Sequence, residues 1–380
     1  MSHLFQTYGR WNITPEYAEG SWLSDSDGKK YLDFTSGIGV LNLGHRPEQV
    51  KEALNRQIDR YWHTSNLFQQ PLQEKLADIL TEQSGLEYTF FCNSGAEANE
   101  AAIKLAKKAT GRKKIISCLQ SFHGRTYATM GATGQEKVRV GYGPMLEQFD
   151  YFLFNDVDDL QKHIDQDTAA IMIEIVQGEG GIHCAEKSFL KAVQEIAKEN
   201  GALIIVDEVQ TGIGRTGKPF AYQHFDFKPD IVTMAKGLGN GLPIGAMLGK
   251  AELSIYFNAG SHGSTFGGNP LSAAAACAVT DQIFKEDMLL KVREKGEYLF
   301  SLLREKLEGV PSVREIRGLG LMAGIEMDYG VNELLIKLQE DGLLILTAGP
   351  NTLRLLPPLN ATFEEIHLAV EKLAQRLVKK

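Results

Sequence analysis

The sequence contains few cysteines, and they lie far apart. Its 380 residues include 4 of them, Cys92, Cys118, Cys184 and Cys277, and no two form a C-x-x-C pair. This spacing gives neither a zinc-binding pattern nor a disulfide framework, and it is typical of proteins from a reducing compartment. We therefore predict a cytoplasmic protein without a bound metal.

The chain also lacks a surplus of positive charge and a long apolar run. Its formal net charge is -8, from 40 Lys and Arg against 48 Asp and Glu, and basic residues cluster only at 107–114. A nucleic-acid surface needs a larger basic patch. No apolar stretch reaches membrane-spanning length, and residues 1–11 match neither a secretory signal nor a transit peptide. These absences predict that the protein binds neither nucleic acid nor a membrane.

The apolar fraction of 43% is large enough for a sizeable core. Short β-branched runs alternate with helical patterns from Tyr88 to Leu248, which predicts an α/β fold with a mostly parallel, doubly wound sheet. Beyond Lys285, long charged helices flank short strands, and this change indicates a smaller α+β domain. We predict an N-terminal segment that packs with the small domain, a large domain and the small domain, at residues 1–44, 45–284 and 285–380.

Two buried strands are predicted to carry an acid and an amine to the same edge of the sheet. One β-branched run, residues 202–206, ends at Asp207, and a second, residues 231–235, ends at Lys236. Ligands of α/β folds bind where parallel strands end. Burial favours the neutral, nucleophilic form of an amine, and the glycines after Lys236 leave room for a flat ligand. Taken alone, the two residues are equally compatible with a structural ion pair.

Two polar segments suit a phosphate group. The motif N-S-G-A-E-A joins a predicted strand to a helix, so the backbone N–H groups at Ser94, Gly95 and Ala96 lie at the positive end of that helix. The loop S-T-F-G-G-N-P offers the hydroxyl groups of Ser264 and Thr265. A capped helix without a ligand would have the same sequence, so the first motif alone leaves both interpretations open.

Three further residues follow predicted strands and have side chains that suit a small ligand. In S-F-H-G-R-T, Phe122 could lie over a flat ring and Arg125 could bind a carboxylate with two hydrogen bonds. In V-Q-G-E-G-G, Glu179 lies between glycines, which indicate a close approach of the backbone. Singly, Phe122 fits a core position equally well and Arg125 a surface ion pair.

Together these motifs resemble those of the class III, fold-type I pyridoxal-phosphate aminotransferases, and the resemblance covers essentially the whole chain. N-S-G-A-E-A, S-F-H-G-R-T, V-Q-G-E-G-G, D-E-V-Q-T-G-I-G-R-T-G, the lysine of A-K-G and S-T-F-G-G-N-P occur in the order and spacing of that family. T-S-N-L-F, S-G-I-G-V-L-N-L-G-H and A-G-P-N-T-L-R-L-L-P-P-L resemble in particular the acetylornithine aminotransferases of bacterial arginine biosynthesis. Glu174-Ile175 is a departure, because many members have Glu-Pro there.

The resemblance implies how pyridoxal 5'-phosphate would be held. Lys236 would bind the cofactor covalently and carry protons, and Asp207 would pair with the pyridinium nitrogen. The remaining contacts implied are Phe122 and Val209 on the two faces of the ring, Gln210 near the phenolic oxygen, and Gly95 and Ala96 at the phosphate. In this family the residue at Thr265 reaches the phosphate of the neighbouring subunit, so the resemblance implies a homodimer with a shared active site.

The resemblance also implies a reaction and its substrates. The amino group of N2-acetyl-L-ornithine would pass to 2-oxoglutarate, giving N-acetyl-L-glutamate 5-semialdehyde and L-glutamate. Arg354 would bind the α-carboxylate of glutamate, and Glu179 would neutralise Arg354 when the donor is an ω-amine. Arg125 would hold the far carboxylate of either substrate. Ile38 stands where ornithine aminotransferases carry a tyrosine, which disfavours free ornithine.

Several alternatives stay open. Succinylornithine and 4-aminobutyrate transaminases are ω-amine enzymes with the same pair of charges, and a glutamate-1-semialdehyde aminomutase shares the fold and the lysine. An aminomutase turns over without a 2-oxo acid acceptor, which separates it from a transaminase. A dinucleotide-binding protein is disfavoured, because no G-x-G-x-x-G follows the first strand of a βαβ unit.

Overall fold

The centre of the molecule is a seven-stranded sheet. The computed structural model describes residues 3–378. Across the sheet, the strands are Tyr88–Cys92, Gly245–Gly249, Ile231–Met234, Leu203–Asp207, Thr168–Ile173, Lys114–Cys118 and Phe149–Phe152. Only Gly245–Gly249 runs antiparallel to its neighbours. The predicted α/β fold with a mostly parallel, doubly wound sheet is confirmed.

The central strands are buried on both faces, which explains their apolar sequences. Every residue of Thr168–Ile173 and of Ile231–Met234 is buried, as expected for strands of a parallel sheet that helices cover on both sides. One large apolar cluster contains Ile171, Val206 and Val232, and a second contains Ile205 and Ile231 on the other face. The helices of this part of the chain are Glu48–Ile58, Pro71–Ser84, Gly95–Thr110, Tyr127–Ala132, Glu136–Arg139, Val157–His163, Lys187–Asn200 and Pro270–Ile283.

The C-terminal part forms a separate antiparallel sheet. Its strands, in order, are Val313–Leu319, Met322–Met327, Thr352–Leu355 and Leu346–Thr347, and its helices are Glu286–Leu307, Asn332–Glu340 and Phe363–Leu377. The predicted change of pattern beyond Lys285 is therefore present. The predicted final helix begins with a capping box between Thr362 and Glu365, and its last two residues, 379–380, lie outside the described residues.

The N-terminal ribbon is completed by the C-terminal part of the chain. Pro15–Glu19, Trp22–Asp25 and Lys30–Asp33 form an antiparallel ribbon, and Leu343–Leu344 adds a fourth, parallel strand beside Lys30–Asp33. The domain boundaries at residues 44 and 284 stay a proposal. The pairing of Lys30–Asp33 with Leu343–Leu344 supports an N-terminal segment that packs with the small domain.

Arg215 joins three parts of the chain beneath the strand that carries Arg354. It is fully buried, and its guanidinium group donates hydrogen bonds to the Leu321 carbonyl oxygen at 3.1 Å, to Asn42 Oδ1 at 2.7 Å and to the Pro357 carbonyl oxygen. These hydrogen bonds link the N-terminal segment, the large sheet region and the C-terminal part of the chain. Among residues 3–378, no helix has the length and apolarity needed to cross a membrane.

Candidate active site

A cavity of 440 Å³ lies at the edge of the large sheet where its parallel strands end. This is the edge predicted from the strand pattern. Most of the predicted site residues line the cavity: Ser94, Gly95, Ala96, Phe122, Arg125, Glu179, Asp207, Val209, Gln210 and Lys236. Arg354 meets the cavity through Glu179 and Gln210, both of which it contacts. Residues more than a hundred positions apart in the sequence are thus brought to one place by the fold.

Lys236 enters the cavity from a strained turn. It follows the strand Ile231–Met234 and begins a short 3₁₀ turn, with a φ of 44° that places its backbone in the left-handed region. A non-glycine residue in this conformation costs about 1–3 kcal/mol and is common at functional sites. Burial lowers the pKa of the Lys236 amine, and the charges of Glu179 and Asp207 only partly offset that effect. The amine is thereby brought closer to its neutral form at neutral pH.

Asp207 is held in place by three donors. Its Oδ2 accepts hydrogen bonds from Asn99 Nδ2 and from the ring nitrogen Nδ1 of His123, both at 2.8 Å, and its Oδ1 accepts one from the Val209 backbone N–H at 2.9 Å. Only 4% of Asp207 is exposed. Burial lowers the pKa of His123, but the hydrogen bond and charge of Asp207 raise it above its usual value. These hydrogen bonds fix the orientation of the Asp207 side chain at the wall of the cavity.

The N-terminus of the helix Gly95–Thr110 forms a cradle on one side of the cavity. The Ser94 side chain caps the helix by accepting a hydrogen bond from the Glu97 N–H, while the first N–H groups of a helix have no partner within it. A Cβ atom at Gly95 would lie 2.7 Å from Val209 Cγ1. Glycine is therefore needed here, because the Cβ of any other residue would clash with the Val209 side chain.

A partly buried ion pair lies at another side of the cavity, where Glu179 lines the wall and Arg354 lies behind it. Arg354 Nη1 lies 2.5 Å from Glu179 Oε1, and it also donates hydrogen bonds to the Gly178 carbonyl oxygen at 2.7 Å and to Gln210 Oε1 at 3.0 Å. Arg354 is 2% exposed. Burial raises the pKa of Glu179, but the charges of Arg354 and Lys236 outweigh it and lower the pKa. Glu179 is thus an anion that neutralises Arg354.

Phe122 and Arg125 lie together at the mouth of the cavity. Phe122 is half-buried and lines the wall, whereas Arg125 is exposed. The guanidinium carbon of Arg125 lies 5.6 Å from the centre of the Phe122 ring, a cation–π distance. Arg125 is therefore placed where it can meet a charged group that enters from solvent.

Besides Arg354, three predicted residues do not line this cavity in the described chain. Ile38 is 49% exposed and lies two residues before Val40, which does line it. Ser264 contacts Asn93, a residue that lines the cavity: Ser264 Oγ accepts a hydrogen bond from Asn93 Nδ2 at 3.1 Å. Thr265 is exposed. The roles predicted for these three residues stay predictions.

Asn99 and Glu174 are among the cavity residues that were not predicted from the sequence. Asn99 lies four positions after Gly95 on the same helix face, and its Oδ1 accepts a hydrogen bond from the Thr233 hydroxyl at 2.6 Å. A polar side chain among the buried alanines of this helix was the signal that could have identified it. Glu174 is the second, a carboxyl group that follows the strand Thr168–Ile173.

The chain matches a known family over nearly its whole length. The family model described as aminotransferase class-III matches residues 6–377. The chain is a class III aminotransferase. Among its relatives, the acetylornithine aminotransferase of Bacillus subtilis (strain 168) is 55% identical over 378 residues, which are 99% of this chain and 98% of that protein.

Solved structures of related aminotransferases are similar over almost the whole class III chain. The ornithine aminotransferase from Toxoplasma gondii ME49 has a TM-score of 0.95 at 32% identity. The aligned region covers 99% of this chain and 92% of that chain. The N-acetylornithine aminotransferase from Stenotrophomonas maltophilia K279a has a TM-score of 0.86 at 35% identity and covers 98% of this chain and 97% of its own. These similarities confirm the fold and the resemblance that the motifs indicated.

The residues of the cavity fit pyridoxal phosphate, on which class III aminotransferases depend. Lys236 has an amine that suits the aldehyde, Asp207 has a carboxylate that suits the pyridinium nitrogen, and the N-terminus of the helix Gly95–Thr110 suits the phosphate. No group of three or more His, Cys, Asp or Glu side chains within residues 3–378 could hold a metal ion.

Proposed function

We propose that this class III aminotransferase transfers the terminal amino group of N2-acetyl-L-ornithine to 2-oxoglutarate. The products are N-acetyl-L-glutamate 5-semialdehyde and L-glutamate, in arginine biosynthesis. The observation that carries the proposal is the partly buried ion pair of Arg354 and Glu179 beside the cavity of Lys236. The 55% identity to an acetylornithine aminotransferase supports the same donor.

The ion pair answers a charge problem that two unlike donors create. Glutamate brings an α-carboxylate close to the reacting amino group, and Arg354 would bind it. Acetylornithine brings only an apolar chain to that position, and an unpaired guanidinium beside it would be costly in a desolvated site. Glu179 pairs with Arg354 at 2.5 Å and so removes this cost when the ω-amine is bound.

The residues of the cavity divide the chemistry among them. When bound, pyridoxal phosphate supplies an aldehyde that takes up the amino group and a ring that stores electrons from the substrate carbon. Lys236 would carry the proton to and from that carbon as general acid and base. Asp207 would keep the ring nitrogen protonated.

Other side chains would bind and orient. The phosphate would be bound by Ser94, Gly95 and Ala96, and the two ring faces would be covered by Phe122 and Val209. Gln210 would donate a hydrogen bond to the phenolic oxygen. Arg125 would bind the far carboxylate of either substrate. The exposed position of Arg125 at the mouth supports the last of these roles.

We propose further that the enzyme is a cytoplasmic homodimer with a shared active site, in which Thr265 reaches the phosphate in the partner subunit. Ser264 offers a second hydroxyl group that suits a phosphate oxygen. Large apolar side chains are exposed around this loop: Trp62, Leu67, Phe68 and Phe266. Asn66 donates hydrogen bonds to the carbonyl oxygens of Ser264 and Gly267, so these segments form one surface. Exposed apolar surface of this kind is typical of subunit interfaces. Light scattering of the purified protein measures the subunit number directly.

Ornithine is a second candidate donor, because the ornithine aminotransferase of Toxoplasma gondii has nearly the same fold. The amine half-reaction, followed through the absorbance of the cofactor, separates the donors when acetylornithine, succinylornithine, ornithine and 4-aminobutyrate are compared. We expect acetylornithine to have the highest kcat/KM. If another of these donors has a higher kcat/KM, that donor replaces acetylornithine in the proposal.

Glu179→Ala is expected to change the two half-reactions in opposite directions. Arg354 is left free for an α-carboxylate, so glutamate and 2-oxoglutarate should react at least as well as with the wild type. Acetylornithine should lose about two to three decades in kcat/KM, because an uncompensated buried charge costs roughly 3–5 kcal/mol. Stopped-flow measurement of each half-reaction with one substrate at a time gives both values.

A matched variant separates charge from shape. Glu179→Gln keeps the size of the side chain and removes its charge, so it should behave like Glu179→Ala if neutralisation of Arg354 is the role. If Glu179 only supports the glycine turn, both half-reactions fall together in the alanine variant and recover in the glutamine variant. That result would rule out the dual-substrate mechanism.

A further inference from the structure

Glu174 is a buried carboxyl group on the wall of the cavity. It lies one residue beyond the paired residues Ile173 and Val206, so it stands beside Asp207 where the two strands end. Only 6% of Glu174 is exposed. A carboxyl group in such a place is costly unless its oxygens accept hydrogen bonds.

The two oxygens of Glu174 bind two separate segments. Oε2 accepts a hydrogen bond from the backbone N–H of Phe122 at 3.1 Å, and Oε1 accepts one from the backbone N–H of Gly178 at 3.3 Å. The Gly178 carbonyl oxygen in turn accepts the 2.7 Å hydrogen bond from Arg354. Glu174 thus connects the Phe122 segment to the turn that carries Glu179.

We propose that Glu174 is a positioning residue that holds the turn at Gly178 and Glu179 in the conformation in which Glu179 neutralises Arg354. The inference rests on the proposed function, because this pairing matters in an enzyme that accepts donors with and without an α-carboxylate near Arg354. When Glu174 loses its charge or one acceptor oxygen, the Gly178 N–H loses its partner. The paired conformation then becomes less populated.

Ionisable groups face Glu174 from each neighbouring strand. They are Cys118 and His123 on one side, and Asp207 and Lys236 on the other. Burial raises the pKa of Glu174 to about 7, although His123 and the two backbone donors lower it and Asp207 raises it further. The carboxyl group therefore changes charge near neutral pH, and its N–H donors favour the ionised form.

The position of Glu174 leads to a pH-dependent preference between donors. In the wild type, the half-reaction rate with acetylornithine divided by that with glutamate is expected to rise about tenfold between roughly pH 6 and pH 8, as Glu174 ionises. Glu179 is not the source of this change, because its pKa is lowered. Charge changes at His123 or Lys236 act on both half-reactions and so leave the ratio largely unaltered.

Glu174→Gln tests the proposal. The amide keeps the size of the side chain but offers one acceptor oxygen to two N–H donors. We expect the ratio at about pH 8 to fall roughly ten- to hundredfold, which is the range for a hydrogen bond to a charged group, and to lose its dependence on pH. Stopped-flow measurement of both half-reactions across this pH range gives the ratio.

Glu208→Gln is the matched control. Glu208 is also buried beside Asp207, and burial raises its pKa to about 7. Its oxygens bind the Thr211 hydroxyl and the Tyr222 N–H instead, away from the residues of the cavity. This variant should keep the wild-type ratio and its pH dependence. A change of the ratio equal to that of Glu174→Gln would overturn the proposal.

Two further outcomes are decisive. A parallel fall of both half-reactions in Glu174→Gln, with an unchanged ratio, means that Glu174 only supports the fold and contradicts the proposal. If Glu174→Gln does not fold, Glu174→Asp replaces it, because the shorter carboxylate reaches only one of the two donors. The ratio should then be lowered but still depend on pH, and a wild-type ratio would refute the proposal.

Failure of the proposed function can be told apart from failure of this inference. If the wild type reacts with glutamate but not with acetylornithine, the proposed donor is wrong. The KM for glutamate then tests Glu174 alone, because a less populated ion pair leaves Arg354 free. We expect this KM to fall several-fold in Glu174→Gln, and an unchanged value would count against the positioning role.

Discussion

Replacing Lys236 by alanine is expected to abolish transamination while the fold is kept. The variant loses the amine that would bind the cofactor and carry the proton, so both half-reactions should fall by at least about four decades. The fold should survive, because alanine removes a buried amine together with the cost of burying it. Stopped-flow absorbance with glutamate measures the half-reaction, and circular dichroism measures the fold.

A matched variant and a chemical rescue make this test specific. Lys250 follows the adjacent strand Gly245–Gly249 but pairs with Asp230 outside the cavity, so Lys250→Ala should keep its activity. Small added amines should restore part of the proton transfer in Lys236→Ala. Normal turnover by purified Lys236→Ala would falsify the assignment of this residue.

Replacing Asp207 by asparagine is expected to slow proton removal from the substrate by roughly three decades. A unit charge about 4 Å from the pyridinium nitrogen, at an effective dielectric constant of about 20, contributes about 4 kcal/mol, or roughly three pKa units. Asparagine keeps the size of Asp207 but not this charge. The ring nitrogen would then lose its proton near neutral pH, and with it the capacity of the ring to store electrons.

The measurement is the half-reaction rate with glutamate at saturating cofactor. Asp230→Asn is the control, since Asp230 accepts a hydrogen bond from the Ile204 N–H near the opposite end of the strand that carries Asp207. It should cost stability without changing the half-reaction. An Asp207→Asn rate equal to that of the wild type would mean that Asp207 does not pair with the ring nitrogen.

The sequence was sufficient to predict that Lys236 and Asp207 lie together, because the position of each depends only on the residues around it. Two short apolar runs define two buried strands, and parallel neighbours end at one edge of a sheet. The strand bounds differ by about two residues in places: the apolar pattern indicates a strand at residues 151–154, and the structure has Phe149–Phe152. Such shifts do not matter for the site, since the glycine turns after the strands determine where the side chains lie.

What could not be predicted depends on contacts between distant segments. Asn99 reaches Asp207 from a helix, and Glu174 binds the N–H groups of Phe122 and Gly178. No sequence pattern encodes such hydrogen bonds, because both partners are placed by the packing of whole elements. The left-handed backbone of Lys236 was equally hidden, since strain of this kind persists only where the surrounding structure enforces it.

The parallel strand Leu343–Leu344 beside Lys30–Asp33 has a consequence for how the chain matures on the ribosome. The strand Lys30–Asp33 is synthesised long before its neighbour Leu343–Leu344. Until then the edge at Lys30–Asp33 has unpaired backbone groups, and such edges are where newly made chains associate wrongly. Arg354 arrives in the same late stretch. The N-terminal ribbon and the site beside Glu179 are therefore completed by the same late segment of the chain.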